Sequence, residues 1–365
     1  MSKEIVGNLT SYVNDVILPY LEVPGNEDKY PDDILAGLAE MGIFGVTVSE
    51  NFGGMGLGPA ISPAINEELA RGWQSLIALV GTHFGLCSYF TTCGTDSQKA
   101  TWLPRLASGQ LRGAHAYHER SRPRLDQIQT RLERSGDSLR ISGYKDWVTN
   151  GARAERLMVV CRHPDHDGLA AAWIDPKTAG ITISPDLPRT GLKGVPLNSV
   201  TFENVEVDEA DVIGDLSLDI TDFMMSRGAG ADVGFAARSL GAARAISEEA
   251  HAAYDKDPKT VESRRFVNAQ RLVDLDMHVF TISAVVQAAI ANSKEKSAAE
   301  SASYAKVTAT RLLQDVAQLA MSVVGGASYA STSQRLHRAC RDALSLTLVD
   351  TTNGTLLGAI ADARQ

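Results

Sequence analysis

The spacing of apolar residues changes twice along this chain of 365 residues, and each change limits what can fold there. From residue 1 to about 112 the period is helical. Ile5, Leu9, Val13 and Ile17 recur every four residues, and Ile34, Leu35, Leu38, Met41 and Ile43 continue at three or four. Pro31 followed by Asp32 and Asp33 suits a helix start, where the positive end of the dipole favours carboxylates. Between Gly113 and about Gly214 short apolar runs take over, Leu157-Met158-Val159-Val160 and Ala170-Ala171-Ala172-Trp173-Ile174, then Ile181, Ile183, Val200, Phe202, Val205 and Val207, with Gly and Pro between them. After Asp215 Ala-rich segments at 235–254, 267–291 and 305–324 return to helical spacing. Long helices with short connections pack as an antiparallel bundle. The expectation is an α+β chain, mainly α, in three parts: a helical domain over 1–112, a small β domain over 113–215 and a helical bundle over 216–365. A chain this long also exceeds what one core usually serves.

Composition excludes several classes. The formal net charge is −9, which argues against a nucleic-acid partner, because phosphate affinity needs clustered Lys and Arg. Cys87, Cys93, Cys161 and Cys340 are too scattered for a disulfide framework and form no CxxC pair. No uninterrupted apolar run reaches the ~18 residues that span a bilayer. The start, MSKEIVGNL, lacks the architecture of a secretory signal. A cytoplasmic protein without a membrane partner is expected.

One stretch invites a chemical reading. In Ser138–Gly151, SLRISGYKDWVTNG, Leu139 and Ile141 alternate with polar residues, Ser142-Gly143 supplies a turn, and extended character resumes around Trp147. A buried Trp beside the Thr149 hydroxyl suits a planar ring, one for stacking and the other for a hydrogen bond.

KDWVTNG resembles the KxWITNG segment of the acyl-CoA dehydrogenases, and other segments match that family in the same order. Val48-Ser49-Glu50-Asn51-Phe52-Gly53-Gly54-Met55-Gly56-Leu57 is similar to its vPExyGGxGl loop, and Asn66-Glu67-Glu68-Leu69-Ala70-Arg71 to its EELAR helix. Gly94-Thr95-Asp96-Ser97-Gln98-Lys99 with Trp102-Leu103-Pro104-Arg105-Leu106-Ala107-Ser108-Gly109 resembles GtxeQKxxyLPxLasGe. Thr201-Phe202-Glu203-Asn204-Val205-Glu206-Val207 resembles the end of its middle domain. The resemblance covers roughly the whole chain. It implies an N-terminal helical domain, a small central β-barrel or sandwich, and a C-terminal four-helix bundle that forms a homodimer or homotetramer.

It also implies FAD-dependent α,β-desaturation of an acyl thioester carried by coenzyme A or an acyl carrier protein, with an electron-transfer partner or oxygen as acceptor. Family members abstract the α-proton with the Glu of a YEGT motif. Counting from the shared Arg341-Asp342-Ala343 puts Asp350 at that position, with Thr351 in place of the Gly and Thr352 at the Thr. Burial is expected to raise the pKa of such a base toward its task. The competing reading of Asp350 is a loop cap within Asp-Thr-Thr-Asn-Gly. A second base position used by some members falls at Ala231, beside Asp232, whose plainer reading is a polar residue early in a helix that follows a Gly228-Ala229-Gly230 break.

For the flavin, the resemblance assigns Trp147, Val148 and Thr149 to the isoalloxazine, Gly325 and Gly326 to the far end of the cofactor, and Gln270 to what remains of an FQ contact. The LTEPxxGSD loop is replaced by Tyr117-His118-Glu119-Arg120-Ser121-Arg122-Pro123-Arg124, with His118 at the Thr. Arg120, Arg122 and Arg124 could neutralise a pyrophosphate. The RxxFG motif is absent. No metal is expected: His115 and His118 lie on opposite sides of a strand, and Cys161 to Asp167 reads as a solvated loop. Two other functions suit these departures, a thioester-binding protein or enzyme without redox chemistry, and a flavin-dependent monooxygenase on the same fold.

Overall fold

The four-residue repeat at the N-terminus becomes one continuous buried stripe. A computed structural model describes residues 2–120, 124–136, 138–256, 262–330 and 334–362. Ile5 and Leu9 of α1 (Ser2–Tyr12), with Val13 and Ile17 of the π-helical turn that follows, are all buried. After α2 (Leu18–Glu22) they meet Ile34, Leu35 and Leu38 of α3 (Asp32–Glu40). The same core takes in α4 (Ser62–Gly72) and the first half of α5 (Gln74–Cys93). In α6 (Asp96–Ala107) Thr95 and Gln98 form a reciprocal capping box. The Gln98 amide also donates to the Val212 carbonyl at 2.6 Å and its oxygen accepts the Gly214 N–H at 2.9 Å, tying the helical domain to the strands.

Among the described residues the middle of the chain forms seven strands: β1 (Gly113–Ala116), β2 (Arg131–Ser135), β3 (Ser138–Thr149), β4 (Arg156–Arg162), β5 (Leu169–Ile174), β6 (Ile181–Ile183) and β7 (Leu197–Val207). They connect in the order β1-β4-β2-β3-β7-β6, with β5 paired to β4, around a core of their own. Here one expectation fails. Ser142-Gly143 is no turn: β3 is a single strand of 12 residues, paired with β7 from Leu139↔Val207 to Thr149↔Leu197 and bulged twice. At the first bulge Gly143 (φ 152°) lies so close to β2's entry that a Cβ would stand 2.5 Å from Thr130 Oγ1, so the glycine serves a crossing. At the second, between Lys145 and Val148, Trp147 adopts φ 57° and turns outward, 51 % exposed. The expected buried Trp is corrected, because a bulge shifts the in–out alternation by one residue.

The C-terminal bundle comprises α7 (Thr221–Lys256), α8 (Glu262–Ala291), α9 (Ala298–Val324), α10 (Gln334–Ala343) and α11 (Asn353–Asp362). Gly228-Ala229-Gly230 does not break α7, which runs through it for 36 residues. Packing against α4 and α9 outweighs the glycine penalty of about 1 kcal/mol each. Asp232 therefore lies inside a helix, 5 % exposed, and not at its start. α5 and the region 264–294, most of α8 with the turn after it, are each long and apolar enough to cross a membrane. Scattered polar residues hid them from a search for uninterrupted runs. Half of α5 is enclosed by protein, whereas α8 exposes Phe266, Val273, Met277 and Phe280 on one face.

Candidate active site

The end of β1, the start of the second bulge of β3, the loop after α10, and the facing sides of α7 and α9 meet around a partly exposed Asp350. Lys145 fixes the first two. It is fully buried, pairs with Glu119 at 2.9 Å and donates to the Tyr117 carbonyl at 3.1 Å. Glu119 also accepts the N–H groups of Gln129 and Thr130, and the Asp146 N–H donates to the His118 carbonyl at 2.9 Å. The Lys of KDWVTNG and the Glu of the divergent loop thus hold Tyr117 and His118 in position.

Asp350 enters from the opposite side with φ 60°, in the left-handed region that costs a non-glycine residue about 1–2 kcal/mol. Lys306 of α9 donates to the Thr351 carbonyl at 2.9 Å and Asn353 Nδ2 donates to Thr310 Oγ1 at 2.9 Å, so this loop is pinned to α9. The Asp350 carboxylate accepts the Tyr117 hydroxyl and lies 4.0 Å from Lys306 Nζ. Lys306, with no exposed side-chain surface, pairs with Asp232 at 3.2 Å, and the Ser303 hydroxyl donates to Asp232 at 2.9 Å. A cation thus sits between carboxylates from two separate elements.

This arrangement reverses the expected pKa shift. Burial does push the Asp350 carboxyl up, but Lys306, the Tyr117 hydroxyl and Arg227 together hold it below the usual carboxylate range. The Asp232 carboxyl, by contrast, is pushed up by burial in spite of Lys306. Asp350 remains 24 % exposed through the cleft, so part of its solvation is still supplied by water.

The far wall is polar and aromatic. Tyr117 stacks on His115 with centroids 4.6 Å apart, and His115 Nε2 lies 2.7 Å from the Tyr89 hydroxyl of α5. The Arg227 guanidinium of α7 stands 5.6 Å from the centre of the Tyr89 ring. Burial holds both His115 and His118 below the ordinary imidazole value, His115 far below, so both are neutral near pH 7. His118 Nδ1 is shut from solvent and has no hydrogen-bond partner.

The orphaned nitrogen tests whether the residues fit a flavin. His118 Nδ1, buried and unpaired, leaves a hydrogen-bonding position unused, and the Trp147 indole, held outward by a strained backbone, leaves a stacking face unused. Those are the complements of a heteroaromatic ring, and the residues fit one.

The remaining candidates are divided. Trp147 and Thr149 face outward with Val148 buried between them. The Thr352 hydroxyl accepts the Thr355 N–H and so caps α11. Arg120 pairs with Asp146 at 2.8 Å and Arg124 with Asp126 at 3.0 Å, both guanidiniums largely exposed, and Arg122 lies outside the described residues. Gly325 and Gly326 follow the end of α9, 19 residues beyond Lys306, roughly 28 Å at 1.5 Å per residue. Gln270 is exposed on α8. One chain does not gather these three with Trp147 and Asp350.

Sequence reasoning missed Tyr117, Lys306 and Arg227 as members of the site. For Lys306 the signal was present, because it shares a helix face with Ala302, Ala305, Ala309 and Leu313 and is a lone cation in a buried stripe.

Comparison with known proteins shows the family. Residues 2–110 match the acyl-CoA dehydrogenase N-terminal domain, 120–205 its middle domain and 222–364 its C-terminal domain. A probable acyl-CoA dehydrogenase of Bacillus subtilis, YngJ, is 27 % identical over 330 residues, covering 86 % of this chain and 84 % of that protein. The (2S)-methylsuccinyl-CoA dehydrogenase of Cereibacter sphaeroides is 30 % identical over 233 residues, covering 60 % of this chain but only 42 % of its own length. The solved prolyl acyl carrier protein oxidase AnaB superposes with a TM-score of 0.87 at 20 % identity, over 100 % of this chain and 98 % of that one. With all three domains matched in order and the fold shared end to end, this chain belongs to the acyl-CoA dehydrogenase family.

Proposed function

We propose that this chain dehydrogenates an acyl thioester between Cα and Cβ, with Asp350 as the base that takes the α-proton. The single observation that carries the reading is the Asp350 carboxylate, held by Tyr117 and Lys306 in the same cleft as the unpaired His118 Nδ1. Bound FAD would supply the acceptor for the β-hydrogen, removed as hydride. Trp147 and Thr149 would flank that ring, with Val148 anchoring their strand and the unpaired His118 Nδ1 available to it. An acyl group entering the cleft displaces the water that still reaches Asp350. Desolvation then raises its carboxyl toward the strength an α-proton demands. Tyr117 and Lys306 fix where the carboxylate points, which matters because a displacement of about 1 Å can cost about a hundredfold.

A second copy of the chain completes the assembly in this reading. Gly325, Gly326 and Gln270 stand far along the bundle from the cleft, and α8 presents an apolar stripe that water would otherwise meet. A homodimer or a dimer of dimers accounts for both. The thioester carrier is coenzyme A or an acyl carrier protein.

The competing reading, thioester binding without redox chemistry, is favoured by Arg120, Arg124 and Thr352, whose polar groups are already engaged. The visible spectrum of the purified protein, after incubation with FAD and desalting, separates the two. A retained flavin band that bleaches when acyl-CoA thioesters are added anaerobically is the expected result. A colourless protein that refuses FAD sinks the dehydrogenase reading.

A further inference from the structure

Arg227 acts on Asp350 through its charge alone and makes no direct contact that the proposed chemistry uses. It projects from α7, and no hydrogen bond or ion pair engages it among the described residues. Its Nε is shut from solvent and unpartnered. The chain also makes room for it: a Cβ on Gly85 of α5 would overlap the guanidinium. A buried guanidinium donor without an acceptor costs about 1–3 kcal/mol, more for a charged group, and persists where function requires it. Around it the wall carries Tyr89, His115 and Tyr117, whose polar groups would be poor neighbours for an alkyl tail.

We propose that Arg227 is the receptor for a carboxylate at the far end of the acyl group, so that the substrate is the half-thioester of a dicarboxylic acid. The inference rests on the thioester reading above and specifies its substrate class. A guanidinium pairs with a carboxylate through two parallel hydrogen bonds, which fixes the orientation of the acyl chain as well as its charge. Recognition is then coupled to the base. Arg227 is one of the charges that hold Asp350 acidic. A substrate carboxylate that neutralises it weakens that hold, so the correct substrate strengthens the base that will attack it. A neutral acyl group leaves Arg227 unpaired, and a cationic one adds repulsion.

The test is calorimetric titration of the full-length protein with three pantetheine thioesters, glutaryl, valeryl and prolyl, which share the portion common to coenzyme A and carrier proteins. Glutaryl-pantetheine is expected to bind roughly ten- to a hundredfold tighter than valeryl-pantetheine, with prolyl-pantetheine weakest. Arg227→Met abolishes the preference and Arg227→Lys restores part of it. Gly85→Ala, which leaves the arginine in the chain but fills its cradle, also loses the preference. Equal or tighter binding of valeryl-pantetheine by the unmodified protein overturns the carboxylate receptor while leaving the thioester reading intact. An unchanged preference in Arg227→Met does the same. If none of the three binds, the thioester reading falls and this inference falls with it.

Discussion

Asp342, at the end of α10, is buried and Asp350, in the loop beyond it, is partly buried, yet their carboxyls move in opposite directions. Asp342 is 2 % exposed and accepts the Leu192 N–H at 2.8 Å. Burial raises it to about 6, because that hydrogen bond, with Arg341 at 3.9 Å and Arg338 further off, does not offset desolvation. Desolvation also pushes the Asp350 carboxyl up, although 24 % of its side chain stays exposed, but Lys306, Tyr117 and Arg227 outweigh it. Burial alone therefore makes a reluctant acid, whereas a cation and a hydroxyl aimed at the carboxylate keep it charged and oriented. The first arrangement joins the bundle to the β6–β7 connection; the second leaves an ionised group at a cleft.

The comparison can be broken in four ways. Asp350→Asn should lower turnover of a pantetheine thioester by roughly 10²–10⁴-fold in a dye-reduction assay. Asp342→Asn should leave turnover near the unmodified value, and an equal loss in both variants would erase the functional distinction. Lys306→Met strands the Asp232 and Asp350 carboxylates and should cost about 3–5 kcal/mol in urea unfolding, most of it recovered by adding Asp232→Asn. No recovery would mean that Lys306 does not act through its ion pair.

The third turns on linkage. Because the folded Asp342 keeps a proton that the unfolded chain releases near 3.8, stability falls as pH rises from about 3.8 to about 6, and the full cost remains above that window. A two-unit shift corresponds to about 3 kcal/mol. Asp342→Asn, which keeps an acceptor for Leu192, should therefore stabilise the fold by up to about 3 kcal/mol at pH 8 and by little at pH 4, as read from melting curves. A gain independent of pH would contradict the buried-acid account. Smallest, Tyr117→Phe removes a hydroxyl donated to Asp350 and should move the acid limb of kcat/KM upward by about one pH unit. An unmoved limb would detach Tyr117 from the base.

The helical repeat of Ile5, Leu9, Val13 and Ile17 was legible because one face carries it and packing agrees with it. The continuity of α7 was not, since Gly228-Ala229-Gly230 argues locally for a break that contacts with α4 and α9 overrule. Likewise Trp147 looked buried by alternation, and only the register against β7 reveals the bulge that turns it out. Asp350 could be located by counting from Arg341-Asp342-Ala343. Its charge state could not, because Lys306 and Tyr117 reach it from distant parts of the chain.

The outward turn of Trp147 gives the protein an optical address. Of its four indoles, Trp73 and Trp173 are 2 % and 1 % exposed, and Trp102 is half-buried with the Arg105 and Arg156 guanidiniums over its ring. Trp147 alone stands half in water, so a soluble collisional quencher reaches its fluorescence first, and anything that settles on that ring shields it.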